Sequence, residues 1–186
     1  MTATAPSTRL SADDWVRAAF EVMVDEGIAG VKIARLCERL GVTKGSFYWH
    51  FADLEAFLGE VARQWAEEAV RQPRTLGFDA TGSDATDVML HAMTVFSDRR
   101  NRALARAVRE WAQKDERARD AIRAADQALF QRVKGAFVAL GFDDTESEVR
   151  AKVLYYAGVG FASVGSLGEL PPADQMVATW EILTRR

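Results

Sequence analysis

Residues 31–51 read VKIARLCERLGVTKGSFYWHF and contain two short helical patterns separated by a brief turn. The spacing of the apolar residues predicts a helix over about 33–40, and Gly41 suits its end because glycine tolerates positive φ. Thr43 is a good N-cap for a second helix that we expect to run to about Phe51. Two short helices joined by a glycine-containing turn are typical of a helix-turn-helix, whose second helix enters the DNA major groove.

Basic residues are concentrated in this stretch. It holds four basic residues and one acidic residue, whereas residues 9–58 as a whole hold six basic and eight acidic ones. The complete chain of 186 residues has a formal net charge of −3, which excludes a generally basic, histone-like nucleic-acid binder. Any attraction to DNA is therefore expected to be local to this stretch.

The start of the second of these helices has the composition of a DNA-reading element. Gly45 and Ser46 are small enough to let the helix approach base edges, and Lys44 can reach a guanine or a phosphate. A plain amphipathic hairpin within a helical bundle is the alternative reading of the same pattern.

Three aromatic or imidazole side chains follow in succession. Tyr48, Trp49 and His50 are about 100° apart on the helix, so they cannot all face one core. At least one is expected to be exposed, where Tyr and His can donate to phosphate oxygens. Phe47 and Phe51 are the better core candidates.

The sequence on both sides of this stretch also has the pattern of helices. A first helix begins at Ser11 and stops at Gly27, and a fourth runs from Asp53 to about Arg71, before a predicted loop at 73–83. Strand patterns are nearly absent, so the chain is predicted to be all-α, with about nine helices. Five of these follow the loop, near residues 84–98, 102–113, 116–140, 145–167 and 172–185.

Composition narrows the class of protein. One cysteine, Cys37, and two histidines exclude a disulfide framework and a zinc-finger site, and we expect Cys37 to be a packed thiol. The start MTATAPST has no secretory pattern, which predicts a cytoplasmic protein. No Ser-His-Asp spacing, metal cluster or phosphate loop is recognisable, so neither an enzyme nor a cofactor is predicted.

Residues 10–58 resemble the DNA-binding domain of the TetR family of bacterial transcriptional regulators, through GVTKGSFYWHF and through AAFEVMVDEG at 18–27. The resemblance implies an arm at 1–9 without fixed structure, a three-helix DNA-binding domain at 10–52 and a helical ligand-binding and dimerisation domain at 53–186. It also implies which residues contact DNA: Lys32, Thr43, Lys44, Gly45, Ser46, Tyr48, Trp49 and His50.

Two positions depart from the family pattern. Leu54 stands where the family commonly has a phosphate-binding lysine, and Val31 stands where it usually has threonine. Loss of one phosphate contact is expected to weaken affinity and to lower the salt slope by about one unit without changing base readout.

For the C-terminal domain the resemblance implies an effector pocket and a dimer interface. Arg106 or Arg109 could bind an acidic ligand, although a surface arginine is the commoner case. Apolar side chains of this kind are more often plain core than ligand wall. The candidates for the pocket are Trp65, Met89, Met93, Phe96, Trp111, Phe130 and Tyr156.

The last two helices would form the dimer interface, and packing within one chain is the alternative. The apolar area of this dimer interface is expected to come from Val177, Trp180, Ile182 and Leu183.

The resemblance thus implies a homodimeric repressor that binds a palindromic DNA operator and is released by a small-molecule effector. The competing hypothesis is a ligand-binding and dimerisation module whose helix-turn-helix no longer reads DNA.

Overall fold

The computed structural model describes residues 10–75, 98–163 and 173–185. Contacts divide the chain into two units, residues 1–64 and 65–186, so the division falls inside the fourth helix. The predicted functional boundary after residue 52 stays a prediction. Several predicted features lie outside the described residues, namely the arm at 1–9, nearly all of the helix near 84–98, and the candidates Met89, Met93 and Phe96.

All regular structure in the described residues is helical, so the predicted all-α class is confirmed. The helices are α1 (Ala12–Glu26), α2 (Ile33–Leu40), α3 (Lys44–His50), α4 (Leu54–Thr75), α5 (Arg99–Ala112), α6 (Glu116–Ala139), α7 (Asp144–Ser163) and α8 (Ala173–Thr184), with a 3-10 turn at Ile28–Gly30. Within these described ranges, no helix is both long and apolar enough to cross a membrane.

Helix α1 begins with a capping box. The Ser11 hydroxyl accepts from the backbone N–H of Asp14 at 3.3 Å, and the Asp14 carboxylate accepts from the backbone N–H of Ser11 at 2.8 Å. Such a cap is worth about 1 kcal/mol because it satisfies donors that the helix itself leaves unpaired. The helix ends at Gly27, which has φ of 70°, as its glycine predicted.

The turn between α2 and α3 is tight and left-handed. Gly41 has φ of 66° and ψ of 34°, a conformation that glycine adopts without a steric penalty. Helix α3 follows immediately and gives way to extended backbone at Phe51. Thr43 occupies the N-cap position as predicted, but its side chain makes no capping hydrogen bond.

An aromatic cluster forms the core of the first unit. Phe47 is fully buried, and its ring centroid lies 5.3 Å from that of Trp15 and 5.4 Å from those of Phe51 and Phe57. Burial of a phenylalanine contributes roughly 1.5–3 kcal/mol. The predicted core positions Phe47 and Phe51 are confirmed, and they fix α3 against α1 and the start of α4.

Helix α4 begins where predicted and ends later than predicted. The Asp53 carboxylate accepts from the backbone N–H of Ala56 at 2.7 Å, which caps the helix. The helix continues to Thr75, so the prediction that a loop begins at Pro73 is wrong. A proline in the last turn removes only one backbone hydrogen bond, close to an end that frays in any case.

In the second unit, α6, α7 and α8 share an apolar core of Val133, Phe137, Phe142 and Ala151. Trp180 and Leu183 of α8 pack against this core, with the Trp180 ring 5.5 Å from that of Phe137.

Trp180 and Leu183 are half-buried against this core, so their share in a dimer interface stays a prediction. The helical period directs these two residues inward. Val177 and Ile182 lie on the exposed side of the same helix, and Ile182 is 66% exposed.

Candidate functional sites

The outer face of α3 presents large side chains to solvent on a well-fixed helix. Tyr48 is 56% exposed and Trp49 is 64% exposed. Phe47, the residue before them, is buried and packs against Trp15 of α1. His50 is half-buried, with its ring centroid 5.0 Å from that of Trp49 and 6.1 Å from that of Phe51. Because Phe47 anchors the helix, the exposed face has a defined position in the first unit.

The first turn of α3 is thin and exposed. Thr43, Lys44 and Gly45 are exposed and Ser46 is half-buried. A Cβ atom added at Gly45 would meet only the Thr43 Oγ1, at 3.6 Å, which is ordinary van der Waals contact. The fold therefore does not require a glycine at this position, and the small residue leaves room for a partner outside the unit.

The positive charge of the helix-turn-helix is less available than the sequence count indicates. Arg35 bonds Glu26 at 2.7 Å and Glu38 at 3.0 Å. Arg39 bonds Glu21 at 2.9 Å and Asp25 at 3.1 Å.

These carboxylates, Glu26 for Arg35 and Glu21 for Arg39 foremost, raise the pKa of each guanidinium. Arg35 and Arg39, two of the four basic residues in the stretch, are thus paired with acidic side chains of the chain itself. Less positive charge is left for a binding partner.

Lys32 and Lys44 carry the remaining charge. Both are exposed, and neither forms an ion pair with any residue in the described ranges. Lys32 is the N-cap of α2 and Lys44 is the first residue of α3, so they lie near the starts of the two helices of the motif. The motif thus has two exposed ammonium groups as well as exposed aromatic side chains.

Cys37 is buried on the inner side of α2. Burial raises the pKa of its thiol above the usual range, which favours the neutral form. A neutral, buried thiol of this kind packs as a small apolar group. Leu54, at the start of α4, is half-buried and brings no charge to the surface.

The second unit contains a polar cluster that joins three helices. Arg109 of α5 makes a bidentate pair with Asp126 of α6, with Nη1 and Nη2 at 3.0 and 2.6 Å from the two carboxylate oxygens. Tyr155 of α7 lies beside Asp126 and Arg109. Burial foremost, and then the neighbouring Asp126, raises the pKa of Tyr155 to about 12, so its hydroxyl stays protonated.

Sequence reasoning missed Asp126 and Tyr155. Their partner Arg109 was a candidate, but it lies 17 residues from Asp126 on another helix, and no local pattern links the two. Arg106 is exposed, with no partner in the described part of the chain.

The predicted pocket residues in the described ranges have different surroundings. Trp65 is half-buried in α4. Trp111 is buried at the end of α5, and its backbone carbonyl accepts from the N–H of Asp115 at 3.1 Å. Phe130 is half-buried, with its ring 6.4 Å from that of Tyr155.

Tyr156 is 65% exposed in the described part of the chain, whereas its neighbour Tyr155 is half-buried, and the place of Tyr156 in a pocket stays a prediction.

Comparison with known proteins identifies the first unit. The family model for bacterial regulatory proteins of the tetR family matches residues 16–61, which include α2, α3 and their turn. The similarity to the tetR family is thus established for this N-terminal stretch, about a quarter of the chain. The match of the chain to the class A tetracycline repressor from transposon 1721 of Escherichia coli is 34% identical over 61 residues, which covers 33% of this chain and 28% of that repressor.

Solved structures resemble the chain in fold over nearly its whole length. A transcriptional regulator from Rhodococcus has a TM-score of 0.74 at 18% identity and covers 94% of each chain. A transcriptional regulator from Saccharomonospora viridis in complex with choline has a TM-score of 0.71 at 18% identity and covers 92% of each chain. At these identities the likeness is one of fold.

Proposed function

We propose that this chain is a transcriptional repressor of the TetR family that reads operator DNA with the outer face of α3. The observation that carries the proposal is the pairing of unneutralised Lys32 and Lys44 with the exposed Tyr48 and Trp49 on a helix anchored by buried Phe47. Lysines neutralise phosphates, and a thin helix start approaches base edges. The proposed contact residues are Lys32, Thr43, Lys44, Gly45, Ser46, Tyr48, Trp49 and His50.

The proposed operator-binding form is a homodimer through α7 and α8. Val149, Val153 and Tyr156 form an exposed stripe at helical spacing on α7, and Val177 and Ile182 are exposed on α8. An apolar stripe of this kind favours burial against a second copy. A two-fold dimer would set its two α3 helices in successive major grooves about 34–36 Å apart.

Release by a small molecule completes the proposal. The regulator from Saccharomonospora viridis, which has the same fold, was solved in complex with choline. This supports a small organic molecule as the effector of the present chain, bound in the second unit. About hundredfold release requires about 2.7 kcal/mol of difference in effector affinity between the two conformations.

The test is selection of bound sequences from a random duplex DNA pool with the full chain at physiological salt. We expect enrichment of a palindrome whose half-sites are one helical turn apart. Tyr48→Ala protein, checked for folding by circular dichroism, should bind the enriched site more weakly than wild type.

The competing function is a ligand-binding and dimerisation module with a silent helix-turn-helix. The ion pairs of Arg35 and Arg39 and the uncharged Leu54 favour it, because they reduce the charge offered to phosphates. A folded dimer that enriches no sequence in the selection would establish this alternative and reject the proposed repressor.

A further inference from the structure

The polar cluster of the second unit has one member on each of three helices. Arg109, Asp126 and Tyr155 come from α5, α6 and α7, and the first two are joined by a bidentate ion pair. Buried residues near them along the same helices are apolar, including Val108, Ala125 and Ala151. A polar group in such surroundings interacts more strongly with a partner than it would in water.

The cluster has unused hydrogen-bond donors and few unused acceptors. A guanidinium has five N–H donors, of which Arg109 gives two to Asp126. No further hydrogen bond of its other donors joins it to a residue that the structure describes. Each oxygen of the Asp126 carboxylate already accepts from one guanidinium nitrogen.

Access to the cluster is partial. The side chains of Arg109 and Asp126 are 30% and 25% exposed, so a molecule outside the helices can reach the guanidinium. Phe130 packs edge-on to Tyr155, with 6.4 Å between ring centroids, and supplies an apolar wall beside the polar groups.

We propose that Arg109, held by Asp126 beside Tyr155, binds the carboxylate of a small organic acid whose apolar body lies against Phe130. A carboxylate accepts from the free guanidinium donors, and such charge-assisted bonds are among the stronger hydrogen bonds in proteins. An ammonium ligand would have to displace Arg109 from Asp126. Binding of the carboxylate does not depend on the proposed repressor function. Only its consequence, release of the operator, rests on that function.

The direct test is calorimetric titration of the full chain, without DNA, with two matched series of probes. One series is phenylacetate, phenylacetamide and phenylethylammonium, and the other is octanoate, octanamide and octylammonium. We expect the carboxylate of at least one series to bind about tenfold or more tightly than its amide and ammonium counterparts. Equal binding within both series, or no binding by either carboxylate, would overturn the proposal.

Variants separate a binding site from a purely structural clamp. Arg109→Met should abolish carboxylate binding, whereas Asp126→Asn should retain it, because the guanidinium remains and a negative charge is removed. Arg106→Met, on an exposed arginine of the same helix, is the matched control and should bind as wild type does. If Arg109→Met does not fold, Arg109→Lys replaces it and should weaken binding by loss of the bidentate geometry.

A clamp alone predicts a different pattern. Both Arg109→Met and Asp126→Asn would lower the urea midpoint, and neither would change how tightly a probe binds. That result would reject the carboxylate site.

Operator release is measured separately by adding the bound carboxylate to the protein–DNA complex. Binding of the probe with loss of operator affinity supports both proposals. Probe binding without any change in operator affinity keeps the carboxylate site and rejects effector release. Operator binding by a protein that binds no carboxylate keeps the regulator and rejects the site.

Discussion

Gly45 and Gly30 of the first unit differ in what surrounds them. A Cβ atom at Gly45 would lie in open space apart from Thr43 Oγ1 at 3.6 Å. A Cβ atom at Gly30 would lie 2.6 Å from the Cβ of Glu26 and 3.1 Å from a methyl group of Val22. The fold therefore does not require a glycine at position 45, which suits contact with a partner. It does require one at position 30, where a side chain would overlap Glu26.

Gly45→Ala should leave the unit folded and weaken operator binding. Alanine favours a helix over glycine by up to about 1 kcal/mol, so the urea midpoint should stay or rise. The added methyl group stands in the gap between helix and base edges, so DNA affinity should fall. Gly135→Ala, where a Cβ also meets nothing within 4 Å, is the control and should bind DNA as wild type does. Unchanged affinity for Gly45→Ala would contradict close approach of α3.

Gly30→Ala should destabilise the first unit by roughly 1–3 kcal/mol, the usual cost of overpacking. The new methyl group overlaps the backbone-proximal Cβ of Glu26, which cannot rotate away. Urea denaturation followed by circular dichroism measures the loss. A midpoint equal to that of Gly135→Ala would show that the turn at Ile28–Gly30 adapts freely.

At the scale of elements, α1 and α2 are held by ion pairs as well as by apolar packing. Arg39 bridges Glu21 and Asp25 of α1, which lie 18 and 14 residues earlier in the chain. Ion pairs at the surface add little stability because water screens them, so the bridge orients α2 more than it stabilises it.

Arg39→Met should therefore leave the salt dependence of DNA binding unchanged. The variant loses an interhelical bridge and not a phosphate contact, so its plot of log affinity against log salt should run parallel to that of wild type. Affinity itself should fall modestly as α2 loses its orientation. A slope lower by about one unit per half-site would mean that Arg39 contacts a phosphate, contrary to this account.

The start of α6 should make stability depend on acid pH. Hydrogen bonds from Arg117 foremost lower the pKa of Asp115 from 3.8 to about 2. The stabilisation is complete above pH 3.8 and is lost as the pH falls toward 2. The reason is that the Asp115 carboxylate takes up a proton more readily in the unfolded state than in the folded state.

Asp115→Asn should remove roughly 1–2 kcal/mol of stability at neutral pH and flatten this acid dependence. Urea titrations at several pH values measure both effects. The control is Asp143→Asn, an N-terminal aspartate of α7 that accepts from the backbone N–H of Glu146 at 2.8 Å. Parallel pH profiles for wild type and Asp115→Asn would contradict the role given to Asp115.

Local patterns predicted most of the element boundaries. Ser11, Gly27, Gly41 and Asp53 act at helix ends through short-range hydrogen bonds or backbone conformation, which a sequence records directly. The inward positions of Phe47 and Phe51 likewise follow from helical period.

Contacts between distant segments could not be predicted in this way. Tyr155 and Tyr156 are adjacent and identical, and only the position of the neighbouring helices decides which one turns inward. The return of Arg35 and Arg39 to acidic partners also depends on how α2 packs, so a count of charges overstated the charge available to DNA.

At the scale of the whole molecule, two copies of the chain are needed to read a palindromic operator. The stripe of Val149, Val153 and Tyr156 leaves large apolar groups in water on α7, and burial against a second copy would remove them. A dimer also supplies the two reading helices that a palindrome needs.

Val153→Glu should convert the dimer to a monomer, because each interface would bury two additional carboxylates without partners. Val138→Glu is the matched control, since Val138 is a similarly exposed valine on α6. Sedimentation velocity should give a monomer for the first variant and the wild-type species for the second. A Val153→Glu dimer as stable as wild type would place the interface elsewhere.

The most direct test of the central claim is the affinity of wild-type, Lys44→Met and Lys114→Met proteins for the enriched operator across a series of salt concentrations. Lys114 is an exposed lysine of the second unit and serves as the control. We predict that Lys44→Met binds more weakly, with a slope lower by about one unit per half-site, while Lys114→Met matches wild type. Equal affinities and slopes for all three proteins would contradict DNA reading by α3.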